Sequence, residues 1–168
     1  MSFEPMDLKD FVINPITAFR DGWALLTAGN EEKFNSMTIS WGALGELWGK
    51  DVAFTFVRPQ RYTLPFMENG EYFTIALFDG TYRKELGAVF GSLSGSSADK
   101  YALTGFTPEF YENWVFPGQA KTVLLLKKIA VDRFEPSGFI APEIESNYAQ
   151  RDYHYIYTGE IMGILKSV

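Results

Sequence analysis

The sequence predicts a mainly β protein, an antiparallel barrel of six strands with a few short peripheral helices. Aromatic residues make up 17% of the 168 residues, and large flat side chains pack well on pleated sheets. The apolar segments of the chain are short, rich in Val, Ile, Phe, Thr and Tyr, and bounded by Gly, Asn, Asp or Pro, which is typical of strands. The helical segments are too few and too short to cover both faces of a parallel sheet, which favours an antiparallel barrel.

The six predicted strands follow one another along the chain with no repeat or linker between them. In order, they are residues 23–28, 37–41, 52–57, 72–78, 122–131 and 153–165. Nothing marks a domain boundary, and 168 residues suffice for one core. We therefore expect residues 1–168 to form a single domain.

Three short helices are predicted between the strands. One begins near Thr63, which can cap it, with Pro65 in its first turn. The others cover residues 79–90 and 97–104, and each is followed by a glycine that suits a left-handed helix end. Residues 137–147 have no clear periodicity, so we interpret them as a surface excursion before the last strand.

The composition excludes several classes of function. The net charge of -6 argues against binding to nucleic acids or to anionic membranes, because both require a cationic face. Cysteine is absent and His154 is the only histidine, so thiolate catalysis, cysteine-ligated metals and a three-histidine metal site are excluded within one chain. We expect no metal site, and any redox activity then requires a bound organic cofactor.

The beginning of the chain, MSFEPMDLKDF, carries acidic residues where a signal peptide has a basic start and an apolar core. No run of 18 apolar residues follows that could serve as a membrane-spanning helix. The sequence therefore predicts a cytoplasmic protein.

The segment RPQRYT, from Arg58 to Thr63, indicates a phosphate site. Arg58 and Arg61 are the only charged residues between Phe54 and Met67, and they precede a predicted helix whose free N–H groups favour an anion. Guanidinium groups match phosphate oxygens through paired donors, and Thr63 can add a hydroxyl donor. The alternative is two solvated surface arginines and a helix cap, and this segment alone does not decide between them.

The segment FNSMTISWG, residues 34–42, is more polar than a core strand. Strand alternation places Ser36, Thr38 and Ser40 on one face and Met37, Ile39 and Trp41 on the other. A face of small hydroxyl groups suits a flat polar ligand. The alternative is an amphipathic strand whose hydroxyl groups face water, and the segment alone leaves both interpretations open.

Four elements in this order resemble the flavin reductase-like family, in particular its flavoredoxin-like branch. They are FNSMTISWG, VAFTFVRPQRYT, GSLSGSSADKY and, near the C-terminus, YHYIYTGEI. The resemblance covers most of the chain, roughly from Asn14 to the last strand. The resemblance implies a split β-barrel with Greek-key connections that dimerises and binds flavin mononucleotide (FMN) close to the subunit interface.

The resemblance also implies which residues bind the cofactor. The polar strand would line it with Asn35, Ser36, Met37, Thr38, Ser40 and Trp41, and its main-chain groups would address the flavin ring. The phosphate would be held by Arg58, Arg61, Tyr62 and Thr63, and its end of the site would be closed by Ser94, Gly95 and Lys100. The chain departs from the family in having Phe90-Gly91 where relatives often have Cys-Gly, and Ser96 where they often have Arg.

His154 is the candidate for contact with a nicotinamide or another substrate. In related reductases a histidine of the final segment can lie near the open face of the flavin, where it could orient an amide or share a proton. The alternative is an inert histidine, hydrogen-bonded among Tyr153, Tyr155 and Tyr157. No residue is predicted to be catalytic with certainty, because the flavin itself carries the hydride chemistry.

These observations predict an FMN-dependent, flavin reductase-like oxidoreductase that moves a hydride from NADH or NADPH to flavin and on to an acceptor. The first alternative is a non-catalytic FMN electron carrier that serves a protein partner. The second is a small barrel without flavin that binds another apolar or phosphorylated molecule. We also expect a homodimer, from the resemblance and because the aromatic content exceeds what a single small core readily absorbs.

Overall fold

The computed structural model describes residues 2–168, in which ten strands and four short α-helices are found. The strands are β1 (Phe3–Met6), β2 (Ala24–Gly29), β3 (Phe34–Ile39), β4 (Gly42–Leu47), β5 (Lys50–Val57), β6 (Tyr72–Leu77), β7 (Pro108–Tyr111), β8 (Trp114–Pro117), β9 (Thr122–Arg133) and β10 (Tyr155–Ser167). The helices are α1 (Pro15–Thr17), α2 (Leu64–Asn69), α3 (Arg83–Glu85) and α4 (Lys100–Thr104). Helices α1 and α3 continue into π-helical turns at Ala18–Gly22 and Leu86–Gly91, and 3-10 turns lie at Leu8–Asp10, Pro136–Gly138 and Pro142–Tyr148.

Eight of these strands form one antiparallel sheet. Its order is β3-β2-β6-β9-β10-β5-β4, and β1 pairs with β10 beside this path. Strands β3 and β4 lie at opposite ends of this order but are joined by only Ser40 and Trp41, so the sheet bends round until its two ends meet. Strands that are neighbours in the sheet are often distant in sequence, as Greek-key connections require. The predicted antiparallel barrel is confirmed.

Each of the six predicted strands is present, and the count is larger because four further strands were not predicted. Strand β1 carries Pro5 and β4 carries two glycines, and these residues have low strand propensity. Strand β4 exists because it pairs with β5 along its whole length, from Gly42 opposite Thr55 to Leu47 opposite Lys50. Strands β7 and β8 form a separate hairpin. Pairing with a neighbouring strand, and not local propensity, therefore decides β1 and β4.

Apolar side chains are buried on both faces of the sheet. On β9, Leu124 and Leu126 belong to the cluster inside the barrel, whereas Val123 and Leu125 belong to a second cluster on the outer face. The outer cluster is covered by aromatic residues of the α3–α4 region and of β8, among them Phe90, Phe106 and Trp114. This arrangement explains the continuous apolar run of β9. It also places the α3–α4 region directly against β2 and β3.

The predicted helices are present, although two of them are shorter. Helix α2 begins at Leu64 as expected, but the Thr63 side chain makes no capping hydrogen bond. The prediction of a helix over residues 79–90 was wrong at its beginning, because the Asp79 carboxylate accepts from the Thr81 N–H at 3.0 Å and holds a turn there. Helix α3 starts only at Arg83.

Helix α4 begins at Lys100, later than the predicted start at residue 97. The Asp99 carboxylate accepts from the Ala102 N–H at 3.0 Å and caps the helix. Its predicted end is confirmed, since Gly105 has φ = 70° and forms a left-handed terminator. Among the described residues, we find no helix of the length and apolarity that crossing a membrane requires.

Candidate functional site

Two adjoining cavities collect most of the predicted site residues. The larger has a volume of about 500 Å³ and is lined by Asn35, Met37, Arg58, Gln60, Arg61, Tyr62, Thr63, Ser92, Leu93, Ser94, Gly95, Lys100, Asn147, Ala149, Gln150 and Asp152. The smaller has a volume of about 160 Å³ and is lined by Met37, Thr38, Ile39, Ser40, Trp41, Phe56, Arg58, Arg61 and His154. Met37, Arg58 and Arg61 belong to both walls, so the cavities form one continuous site. We call them the larger cavity and the smaller cavity.

The larger cavity contains two cationic side chains that are bonded only to main-chain oxygens. Arg61 donates from Nη1 to the carbonyl oxygen of Gly91 at 2.8 Å. The Lys100 ammonium group donates to the carbonyl oxygens of Ser36 at 2.9 Å and Phe90 at 3.4 Å. Within residues 2–168 neither side chain forms an ion pair. Both positive charges are therefore uncompensated.

Burial makes these two charges unfavourable in the free protein. Lys100 is only 6% exposed. Burial, helped by the nearby charge of Arg61, lowers the pKa of Lys100 to about 8. Burial, helped by Arg58, also lowers the pKa of Arg61. A buried charge without a counter-ion costs free energy, so this pair favours the entry of an anion.

Arg58 differs from Arg61 because it already has a carboxylate partner. Its Nη1 donates to Asp152 Oδ2 at 2.5 Å, and its Nη2 donates to the carbonyl oxygen of Asn147 at 2.9 Å. Gln60 donates to the same Asp152 oxygen at 2.6 Å, and the bonds from Gln60 and Arg58 hold the pKa of Asp152 below its usual value. The cavity therefore contains two uncompensated cations and one neutralised ion pair. The two positive charges match a phosphate monoester, which carries a charge of nearly -2 at neutral pH.

Gly95 lets the loop of residues 92–95 approach β3 closely. A Cβ atom at this position would lie 2.0 Å from Asn35 Oδ1 and 2.9 Å from the Tyr62 ring. The Asn35 amide group donates to the Thr63 hydroxyl at 2.7 Å, and Thr63 is fully buried. Thr63 therefore orients Asn35 in the cavity wall. Ser94, Gly95 and Tyr62 line the same cavity.

The hydroxyl-bearing face of β3 meets the α3–α4 region of the protein. Ser36 Oγ lies 2.7 Å from Thr27 Oγ1 and 2.8 Å from the Tyr101 hydroxyl. Thr38 donates to the carbonyl oxygen of Leu86 at 2.5 Å. The interpretation that these hydroxyl groups face water is wrong for Ser36, which is 1% exposed. Ser36 lines neither cavity, and its link to the site is its carbonyl oxygen, which accepts from the Lys100 ammonium group.

The smaller cavity is flanked by His154, just before β10, and by Trp41, which is 44% exposed. Their ring centres are 5.0 Å apart, and His154 Nδ1 lies 3.0 Å from the Tyr148 hydroxyl. Burial, followed by the charge of Arg58, lowers the pKa of His154 to about 4. The side chain is therefore neutral at physiological pH. A neutral imidazole can orient a carbonyl or amide group but does not act as a cationic acid there.

Sequence reasoning missed the polar residues of the segment 147–152 and assigned its first residue to a surface excursion. The Asn147 carbonyl oxygen and the Asp152 carboxylate hold Arg58, and the Tyr148 hydroxyl contacts His154. Asp152 is separated from Arg58 by 94 positions, so only the fold brings them together. The one local sign in the sequence that this segment belongs to the site was the position of Asp152, two residues before the only histidine.

Comparison with known proteins identifies the fold. No protein-family model and no curated protein matches the sequence. The FMN-binding protein from Thermus thermophilus, solved with bound p-hydroxybenzaldehyde, is similar with a TM-score of 0.68 and 16% identity, over 87% of this chain and 71% of that chain. The flavoredoxin of Desulfovibrio vulgaris (Miyazaki F) is similar with a TM-score of 0.65 and 21% identity, over 87% and 69% of the two chains.

A third similar structure is the FMN-binding domain of a flavin reductases-like enzyme from Shewanella baltica. Its TM-score is 0.67 and its identity 17%, and the similarity covers 98% of this chain and 77% of that chain. A putative flavin reductase from Shewanella frigidimarina, described as having a split barrel domain, is also similar, with a TM-score of 0.66 and 13% identity over 85% of this chain and 65% of that chain. At these identities the likeness identifies the fold, and the predicted split barrel is confirmed.

Proposed function

The chain has the split-barrel fold of FMN-binding, flavin reductase-like proteins, and we propose that it binds FMN and is a flavin reductase-like oxidoreductase. It would move a hydride from NADH or NADPH to flavin and pass the electrons to an acceptor. The observation that carries this proposal is the uncompensated pair Arg61 and Lys100 at one end of a site whose other end is lined by Trp41 and His154. A phosphorylated flavin has this polarity, with a dianion at one end and a flat ring at the other.

The residues of the larger cavity fit the phosphate end of FMN. Arg61 and Lys100 would supply the two positive charges, with the arginine as a fork of donors and the lysine as a point charge. The loop through Ser94 and Gly95 would close over the phosphate, and Arg58, whose guanidinium is already oriented by Asp152, would lie in the wall of the same cavity. Binding would relieve the cost of the two buried charges.

The residues of the smaller cavity fit the ring end. Met37 and Trp41 would supply apolar contact, and the exposed part of Trp41 would limit the access of water to the ring. Bound flavin supplies the hydride-accepting chemistry, so no acid or base of the chain is needed for that step. His154, neutral and oriented by Tyr148, would hold a carbonyl or amide group of the incoming nicotinamide or acceptor.

Flavin reduction by a nicotinamide tests the enzymatic part of this proposal. We expect the purified chain to bind FMN, measured by quenching of flavin fluorescence, and the visible absorbance of the bound flavin to bleach rapidly when NADH or NADPH is added without oxygen. A colourless protein that causes no quenching would contradict FMN binding. A second candidate function is that of an FMN electron carrier, which the likeness to flavoredoxins supports. Such a carrier would keep its oxidised spectrum after NADH or NADPH is added, until a reductase protein is supplied.

We also propose that the protein functions as a homodimer with FMN near the subunit interface. Trp48 supports this proposal, because it lies at the turn between β4 and β5 and is 67% exposed, with φ = 58°. Tryptophan is enriched at protein–protein interfaces, and this indole is exposed to a second chain at the end of a hairpin. Light scattering at micromolar protein concentration should give twice the mass of one chain. A monomeric mass would contradict both the dimer and a flavin bound at its interface.

A further inference from the structure

An apolar groove adjoins the smaller cavity, and neither Arg61 nor Lys100 belongs to its wall. Its volume is about 560 Å³, and Ser40, Trp41 and Phe56 belong both to its wall and to that of the smaller cavity. Ile16 lies at its edge and is 66% exposed. Since the two walls share residues, a ligand in the groove would reach the ring end of the flavin site.

Aromatic rings form much of the groove wall, in two parallel pairs. Phe56 and Phe134 are stacked with ring centres 5.8 Å apart and planes 8° apart. Phe139 and Tyr148 are stacked at 5.7 Å and 7°. Flat aromatic walls favour a flat aromatic ligand, because offset stacking adds to the gain from apolar burial.

The charge and polarity of the groove restrict the ligand further. Among the described residues that line the groove, Arg20 is the one charged residue, and its guanidinium is paired with Asp21 at 3.0 Å. A ligand with phosphate or sulfonate groups would therefore find no free cation there. Tyr148 lies in the groove wall, and its hydroxyl is 3.0 Å from Nδ1 of His154, which lines the adjoining smaller cavity. When this hydroxyl donates to Nδ1, the Nε2–H of His154 is the donor left for a carbonyl oxygen.

We propose that this groove binds a neutral, planar aromatic carbonyl compound of the quinone class, which serves as an electron acceptor. The inference rests on the proposed function, which supplies the reduced flavin. In the reaction the quinone gains two electrons and two protons and becomes a hydroquinone, and the reduced flavin loses the same two electrons and two protons. The groove selects its ligand by lacking a free charge, and His154, held in place by the Tyr148 hydroxyl, orients the carbonyl group.

Quinone binding can be measured without flavin, by quenching of tryptophan fluorescence in the FMN-free protein, because Trp41 lies in the groove wall. The probes are menadione and a naphthoquinone sulfonate with the same ring system. We expect saturable quenching, with a dissociation constant roughly tenfold lower for the neutral quinone than for the sulfonate. In FMN-loaded protein reduced with dithionite, the rate of reoxidation by menadione should saturate over the same concentration range.

The variant Ile16→Arg places a cation at the groove edge. It should weaken menadione binding roughly tenfold and tighten binding of the sulfonate, which reverses the preference. The matched control is Val12→Arg, because Val12 is 93% exposed and does not line the groove. The control should bind both quinones as the original chain does.

Three results would overturn the inference. They are quenching that stays linear in quinone concentration, equal dissociation constants for the original chain and Ile16→Arg, and a halved mass of Ile16→Arg in light scattering, which would assign the groove to a second copy of the chain. These results are separable from failure of the proposed function. If the protein does not bind FMN but shows saturable quinone quenching that Ile16→Arg weakens, the groove is supported as a quinone site and the flavin proposal fails.

Discussion

Replacing Arg61 with alanine is expected to weaken FMN binding by roughly ten- to a hundredfold and to leave riboflavin binding almost unchanged. Arg61 is bonded only to the Gly91 carbonyl oxygen and has no carboxylate partner within residues 2–168. Its guanidinium is therefore available to a phosphate, and hydrogen bonds to a charged group contribute about 1.5–3 kcal/mol. Riboflavin lacks the phosphate and loses no such contact.

Titration of flavin fluorescence with each variant measures both affinities. Arg151→Ala is the matched control, because Arg151 is exposed and does not line the larger cavity although it lies beside Asp152 in sequence. We expect this control to change neither affinity by more than a small factor. Equal losses of FMN and riboflavin affinity in Arg61→Ala would show that Arg61 contacts the ring end or supports the fold, and would contradict the assignment of the phosphate end.

The affinity for FMN is expected to fall as the pH rises above 8, by up to roughly tenfold per pH unit. The pKa of Lys100 is about 8 in the free protein because the side chain is buried beside Arg61. A bound phosphate dianion favours the protonated lysine and raises this pKa, so binding takes up a proton wherever the free protein has lost it. The phosphate itself is already close to a dianion above pH 7.

The variant Lys100→Met tests whether Lys100 causes this pH dependence, because methionine is similar in length and carries no charge. In this variant FMN affinity should be roughly tenfold weaker at pH 7 and should not vary between pH 7 and 9.5. Tyr101, the next residue, has a pKa of about 12 and stays neutral over this range. Riboflavin affinity should show no pH dependence in either protein. An equally steep dependence in Lys100→Met would assign the titration to another group.

Lys100 also links the pH to the stability of the free protein. Its pKa is lowered from 10.5 in the folded state, so above pH 8 the unfolded chain binds more protons than the folded one. The contribution of this group to the free energy of unfolding therefore increases from about pH 8 to about 10.5. The same buried amine that weakens FMN binding at high pH makes the free fold more stable there.

Much of the fold could be predicted because strands such as β5, β6 and β9 carry apolar and β-branched residues between turn residues. The prediction failed for β4, whose glycines have no strand propensity and which forms by pairing with β5. It also failed for the beginning of α3, where one local hydrogen bond of Asp79 outweighs helix propensity. The pairing of β4 depends on the fold, whereas the Asp79 turn is a local interaction between residues two positions apart.

Some features of the candidate site could also be predicted from the sequence, and others could not. The cationic segment around Arg61 is readable from residue order, because two arginines before a helix are a local pattern. The pairing of Asp152 with Arg58, which leaves Arg61 and Lys100 uncompensated, is visible only in the folded chain. The same holds for the burial that keeps His154 neutral and for the Ser36 hydroxyl, which contacts Tyr101 away from the cavities. Charge pairing and burial depend on distances across the fold, and residue order does not specify those distances.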